Sequence, residues 1–94
     1  MTTHTRKLER VSALERAVTE ELGVRVQRVG WNRFNLALNA DEVQTIEARL
    51  SGDGAWSVGE LVRVCDVLSK LGDPVESWEV CRDATYQLQG APMN

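Results

Sequence analysis

The residues best suited to chemistry with a partner lie in one predicted helix, between Asn39 and Gly52. This segment carries the amide of Gln44, the hydroxyl of Thr45 and the guanidinium of Arg49, with the small side chain of Ala48 among them. A Gln side chain can form paired hydrogen bonds with the edge of adenine, and an Arg side chain can do so with guanine. The chemistry available to such a helix is therefore recognition of base edges.

A second set of candidates can bind phosphate groups. Arg25, Arg28 and Arg33 form a basic group in the N-terminal third of the chain, and cations of this kind contact a nucleic-acid backbone. Asn32 and Arg33 stand at the start of a short candidate helix, and Ser57 stands at the start of a later one, where backbone amides attract anions. The ordinary alternative is that these residues cap helices and form a solvated surface.

Catalysis and metal binding have little support in the sequence. The one histidine, His4, lies near the N-terminus, so the chain lacks a Ser/His/Asp or Cys/His set and metal-ligand spacing. Cys65 and Cys81 are expected to be reduced and partly buried. The loop from Ser51 to Gly54 lacks the lysine and the preceding strand of a P-loop. We expect no enzyme, no cofactor and no small-molecule substrate.

The composition predicts one small domain. The chain has 94 residues, of which 43% are hydrophobic, and it has no apolar run of about 18 residues that could span a membrane. No apolar stretch follows the charges of the N-terminal sequence MTTHTRKLER, so a secretory signal is not expected. The predicted location is the cytoplasm.

The net charge of −3 is unevenly distributed. Residues 1–33 carry 7 basic and 4 acidic side chains, whereas residues 34–94 carry 4 basic and 10 acidic ones. A nucleic-acid-binding protein usually concentrates its basic residues on one face. Any such face must come mainly from the N-terminal third.

Four helices are predicted from apolar spacing and end signals. The first runs from about Thr5 to Leu22, where Gly23 either ends it or only weakens it. The next begins at Asn39, with Glu42 completing a capping box, and stops at Gly52. Another runs from Val58 to Leu71, opened by Ser57 and Glu60 and stopped by Gly72. A last helix is opened by Asp73 and Pro74 and covers about 74–89. The two ends of the chain are expected to be loose.

Residues 24–38 allow two interpretations. Val24 and Val26 alternate with polar residues, as do Phe34 and Leu36, which is typical of a β-hairpin with a turn near Gly30. Alternatively, the first helix continues to about Val29, Gly30 breaks it, and Asn32 caps a short helix. The fold is therefore all-α with about five helices, or α+β with a hairpin at 24–38.

The stretch from Gly30 to Gly72 resembles the helix-turn-helix core of Cro and lambda-repressor-type (XRE-like) proteins, as found in small regulators of actinobacterial phages. Gly30 and Trp31 match the end of the family's first helix, and Leu36 and Ala37 match a Leu-Ala pair in its second. The remaining matches are Thr45 and Ile46, then Arg49 to Gly52 at the end of the recognition helix, and Trp56 to Leu61 at the start of the fourth helix. The resemblance covers about residues 17–72.

The resemblance implies a DNA-binding transcriptional regulator that occludes a promoter or operator. Its third helix would lie in the major groove of double-stranded DNA and its second would cross the backbone. The contacting residues would be Asn32, Arg33, Gln44, Thr45, Ala48, Arg49 and Ser57, with Arg25 and Arg28 on phosphates. Paired modules read two half-sites, which favours a homodimer. The last helix offers Val75, Trp78, Cys81 and Leu88, either as that interface or as core.

A second function remains open. The predicted recognition helix carries Asp41, Glu42 and Glu47, where the family tends to have Arg, Ser or Gln. Carboxylates at these positions would repel phosphates. The alternative is an acidic module that binds and inhibits a host protein or another regulator.

Overall fold

A computed structural model describes residues 2–89 of the chain, with side chains from Ser12 to Gln89. Over this range the fold is all-α, and no strand occurs among the described residues. The helices are α1 (Thr2–Val29), α2 (Trp31–Ala37), α3 (Ala40–Leu50), α4 (Val58–Lys70) and α5 (Ser77–Leu88). The prediction of about five helices is confirmed. Of the ends predicted to be loose, Met1 and residues 90–94 lie outside the described range, whereas α1 already begins at Thr2.

The hairpin alternative for residues 24–38 is wrong, because α1 continues through Gly23 to Val29. Leu22 and Val26 lie one helical turn apart and are both fully buried, whereas Val24 is exposed. Burial every fourth residue matches the helical period and not the alternation of a strand. The helix stops at Gly30, whose φ of 103° favours glycine.

Helix α2 begins at Trp31 with Gly30 as its N-cap, so the predicted Asn32 cap is wrong by two residues. Two residues, Leu38 and Asn39, join α2 to α3. Both have extended backbone angles, with φ of −88° and −72°. This turn therefore needs no glycine in the left-handed region, which explains why none is found there.

The predicted caps of α3 and α4 are confirmed. Asn39 with Glu42 and Ser57 with Glu60 each form a capping box. At the other end of α3, the Asp53 amide donates to the Ala48 carbonyl at 2.9 Å across Gly52. The Asp73 amide donates to the Leu68 carbonyl at 2.9 Å across Gly72 in the same way, so α4 ends at Lys70 by a Schellman closure.

The predicted start of the last helix at Asp73 and Pro74 is wrong. Helix α5 begins at Ser77, where Glu76 and Glu79 form a third capping box. Asp73 closes the end of α4 instead, and its carboxylate accepts a hydrogen bond from Arg25 of α1. The residues from Asp73 to Glu76 therefore form a connection and not a first helical turn.

The core lies among all five helices, and α1 packs chiefly against α5. Trp56, in the loop before α4, is fixed to α1 because its Nε1 donates to Thr19 Oγ1 at 2.9 Å. The fully buried larger side chains are Leu22, Val26, Phe34, Val64, Val67, Leu68 and Val80. Across residues 2–89, no helix combines the length and the apolar character needed to cross a bilayer.

Candidate nucleic-acid interface

Helix α3 presents a polar side to solvent and an apolar side to the core. Ile46 is buried, and Val43 and Leu50 pack against the core. Gln44 and Thr45 are exposed on the opposite side, together with Asp41. Ala48 is half-buried. Of the predicted base-contacting residues, the structure thus leaves Gln44 and Thr45 free to reach a partner surface.

Arg49 occupies a different position from the one expected of a base-reading residue. Its Nε donates to Glu60 Oε1 at 3.1 Å, and its Nη1 donates to the Asp53 carbonyl at 2.9 Å. The side chain therefore connects α3, the following loop and the start of α4. These hydrogen bonds occupy two of the five N–H donors of Arg49 and hold its guanidinium against the loop and α4, so Arg49 is a structural brace in this conformation.

The Arg49 brace also explains why the loop after α3 has a second glycine in the left-handed region. Gly52 and Gly54 have φ of +91° and +87°, and a Cβ on Gly52 would contact nothing. A Cβ on Gly54 would lie 3.0 Å from Arg49 Cζ and closer still to its Nη1. A side chain at position 54 must therefore displace the Arg49 guanidinium.

We expect Gly52→Ala to lower the free energy of unfolding by about 1 kcal/mol through backbone strain alone. Gly54→Ala should cost about 1 kcal/mol more, because it also displaces Arg49 from Glu60 and Asp53. Urea denaturation of the two variants measures both values. The Gly52 variant is the matched control. Equal losses of unfolding free energy in the two variants would show that the hydrogen bonds of Arg49 contribute nothing to stability.

Two acidic residues near α3 are neutralised within the fold. Glu42 accepts from Arg63 Nε at 2.8 Å and from the Asn39 amide at 2.8 Å. The Arg63 hydrogen bond, followed by the Asn39 amide, lowers the pKa of Glu42 below its ordinary value. The Ser57 amide is the largest cause that lowers the pKa of Glu60, and Arg49 adds to it.

Glu42, Glu60 and Arg63 line a groove of about 370 Å³ between α3 and the start of α4. Glu42 is therefore not a free negative charge on α3. Asp41 and Glu47 are the carboxylates of α3 that form no ion pair with another described residue.

The candidate phosphate-binding residues at helix starts are accessible to different extents. Asn32 and Arg33 are exposed on α2. Arg33 makes only long contacts, with the carbonyls of Val29 at 3.4 Å and Leu71 at 3.5 Å. The Ser57 hydroxyl accepts from the Glu60 amide at 3.1 Å, so its first role is to cap α4. Of these three residues, Arg33 is the most available to bind a phosphate.

Arg25 and Arg28, predicted together as phosphate contacts, have separate roles. The Arg25 side chain is 16% exposed and is ion-paired with Glu21 at 2.9 Å and with Asp73 at 3.2 Å. Burial acts to lower the pKa of Arg25, but the hydrogen bond with Glu21 and the charge of Asp73 raise it overall. The Arg28 side chain is 62% exposed and lies 3.9 Å from Asp73. Arg25 is thus part of the scaffold, whereas Arg28 is available to a phosphate.

The predicted α5 interface is not one continuous surface. Val75 is buried in the core, so its assignment to an interface is wrong, and Cys81 is half-buried. Trp78 and Leu88 are exposed. Cys65 and Cys81 are both free thiols, and burial raises the pKa of the Cys65 thiol to about 11, which keeps it protonated and unreactive.

Two residues of α5 were missed at the sequence level. Arg82 lies over the Trp78 ring, with its Cζ 5.1 Å from the ring centroid, and Tyr86 is exposed one turn further on. The signal was the spacing of Arg82 and Tyr86, four and eight residues after Trp78, which places all three residues on one side of the helix.

Comparisons with protein-family models, with curated proteins and with solved structures gave no match. Among the described side chains, no group of His, Cys, Asp and Glu could hold a metal ion.

Proposed function

We propose that the chain is a small DNA-binding transcriptional regulator that acts in the cytoplasm of a bacterial host and occludes a promoter or operator. In this proposal α3 enters the major groove and α2 lies across the backbone. The observation that carries it is the pairing of α2 and α3 through a two-residue turn, with Gln44 and Thr45 exposed on the outer side of α3.

The proposed phosphate contacts come from outside α3. Arg28 and Arg33 are exposed, and either can neutralise a phosphate without breaking a hydrogen-bonded ion pair of the fold. On α3 itself the one basic residue, Arg49, is held by Glu60. Each phosphate contact contributes about one unit to the logarithmic salt dependence of DNA binding. Arg33→Gln should therefore reduce that slope by about one.

The test is a selection of duplexes from host or phage DNA at about 50 mM salt, where electrostatic contacts are strongest. Gln44→Ala should weaken binding to the selected site by about tenfold, the effect of losing a paired base contact, and should leave binding to random duplex nearly unchanged. Asp41→Asn provides a matched control on the same helix. It should tighten binding to both duplexes, because it removes a carboxylate that faces the phosphates.

A second candidate function is supported by the surplus of unpaired carboxylates. Among residues 12–89, seven acidic side chains form no ion pair with another described residue. They are Glu15, Glu20, Asp41, Glu47, Asp53, Glu76 and Glu79. Such a surface favours a basic protein partner, a host factor or another regulator, which the module would inhibit. If the chain fails to bind any duplex at about 50 mM salt, the DNA proposal is wrong and this candidate replaces it.

A further inference from the structure

The outer side of α5 carries two aromatic residues and a cation at regular spacing. Trp78, Arg82 and Tyr86 are four residues apart, so they form one stripe along the helix. Trp78 is 60% exposed and Tyr86 is 56% exposed, although both are large. Trp, Tyr and Arg are the residues most enriched at the centres of protein interfaces.

This stripe is symmetric about Arg82. If a second α5 helix is laid against it in the antiparallel direction, with the two-fold axis at Arg82, Trp78 of each copy lies opposite Tyr86 of the other. The two aromatic contacts are then identical by symmetry, as an isologous interface requires. A parallel arrangement would instead place Trp78 against Trp78 and Tyr86 against Tyr86, whereas both arrangements bring the two Arg82 side chains together at the centre.

The charges at the centre of the stripe also match a second copy. Arg82 Nε pairs with its own Asp83 Oδ1 at 3.2 Å, and both side chains are partly exposed. This contact leaves the two Nη groups of Arg82 and Oδ2 of Asp83 without a partner among the described residues. In the antiparallel arrangement each Arg82 can reach Asp83 of the other copy, so the centre holds two positive and two negative charges.

From this self-complementarity we infer that α5 is a homodimer interface in which the Trp78, Arg82 and Tyr86 stripe packs antiparallel against the same stripe of a second copy. The occupant is thus another molecule of this chain. A single pair of 12-residue helices buries less surface than a standard interface, so the dimer should be weak and concentration-dependent. The pairing does not require DNA, and it stands or fails independently of the proposed function.

The test is sedimentation equilibrium of the full chain over a range of protein concentrations, without DNA. The unchanged protein should show a reversible monomer–dimer equilibrium. Arg82→Asp places four carboxylates at the centre, and Asp83→Arg places four guanidinium groups there. For each variant alone, the dissociation constant of the dimer should therefore rise by at least about tenfold. An equimolar mixture of the two variants should associate again, because each Asp then faces an Arg of the other copy.

The equimolar mixture is the most informative measurement, because mixing two misfolded variants would not restore association. Circular dichroism of each variant checks that the helices are intact. Glu47→Lys, an exposed charge change on α3, is the matched control and should not alter the equilibrium. A protein that stays monomeric at all concentrations would overturn the proposal, as would a dimer that is insensitive to both α5 variants or a mixture that fails to associate.

Discussion

Phe34→Ala is expected to lower the free energy of unfolding by about 3–5 kcal/mol. Phe34 is fully buried and is the only buried residue of the seven-residue helix α2. A helix of this length is not stable by itself and depends on tertiary packing. Loss of the ring therefore leaves a cavity in the core and removes the main attachment of α2 to the rest of the fold.

Leu36→Ala is the matched control for this prediction. Leu36 lies on the same helix but is 86% exposed, so its substitution should change the free energy of unfolding by no more than about 0.5 kcal/mol. Urea denaturation followed by circular dichroism measures both variants. Similar losses from Phe34→Ala and Leu36→Ala would mean that α2 is not attached through Phe34.

The signals that predicted the fold from sequence are local ones. Ser57 with Glu60, and Asn39 with Glu42, identify helix starts because the bonds concerned join residues only three apart. Ser57 and Glu60 each accept from the amide of the other, and Glu42 accepts from the Asn39 amide. Gly52 identifies a helix end because few other residues adopt its φ. Signals of this kind do not depend on the rest of the chain, so they could be interpreted before the structure was known.

The errors at residues 24–38 and at Asp73 have a tertiary cause. Val24 and Val26 alternate as a strand would, and only the burial of Val26 beside Leu22 shows that the helical period applies. Asp73 has the composition of a helix cap, but its carboxylate is bonded with Arg25, 48 residues earlier in the chain. A partner so distant in sequence leaves no local signal.

The candidate site shows the same contrast between local signals, which the sequence reveals, and tertiary contacts, which it does not. The apolar stripe of α3 predicts that Gln44 and Thr45 lie on its outer side, and the structure leaves them exposed. The residue type of Arg49 suits a guanine contact and predicts the same role for it. Its bond with Glu60 of the next helix could not be anticipated, since the composition of α3 gives no information on which side chain α4 places beside it.

Arg25→Ala is expected to lower the free energy of unfolding by about 2–3 kcal/mol, because it breaks a mostly buried ion pair from one side. The Asp73 carboxylate would remain, with its side chain 17% exposed and its Oδ2 already buried without a hydrogen-bond partner. Arg28, 3.9 Å away and largely exposed, cannot replace the two hydrogen bonds that Arg25 makes with Glu21 and Asp73. Thermal and urea denaturation measure the loss.

Arg28→Ala, compared with Arg25→Ala, distinguishes an arginine that contacts DNA from one that stabilises the fold. Its charge contributes little to folding, so the free energy of unfolding should change by no more than about 0.5 kcal/mol. If the chain binds DNA as proposed, the same substitution should weaken duplex binding and lower the salt slope by about one. Arg25→Ala, measured at a temperature where the protein remains folded, should leave that slope unchanged.

The two arginines look equivalent in the sequence, and opposite effects on stability and on salt dependence are expected because only Arg25 is held by the Glu21 and Asp73 carboxylates. A reduced salt slope for Arg25→Ala would contradict this division, since it would mean that the guanidinium leaves its buried pair to reach a phosphate.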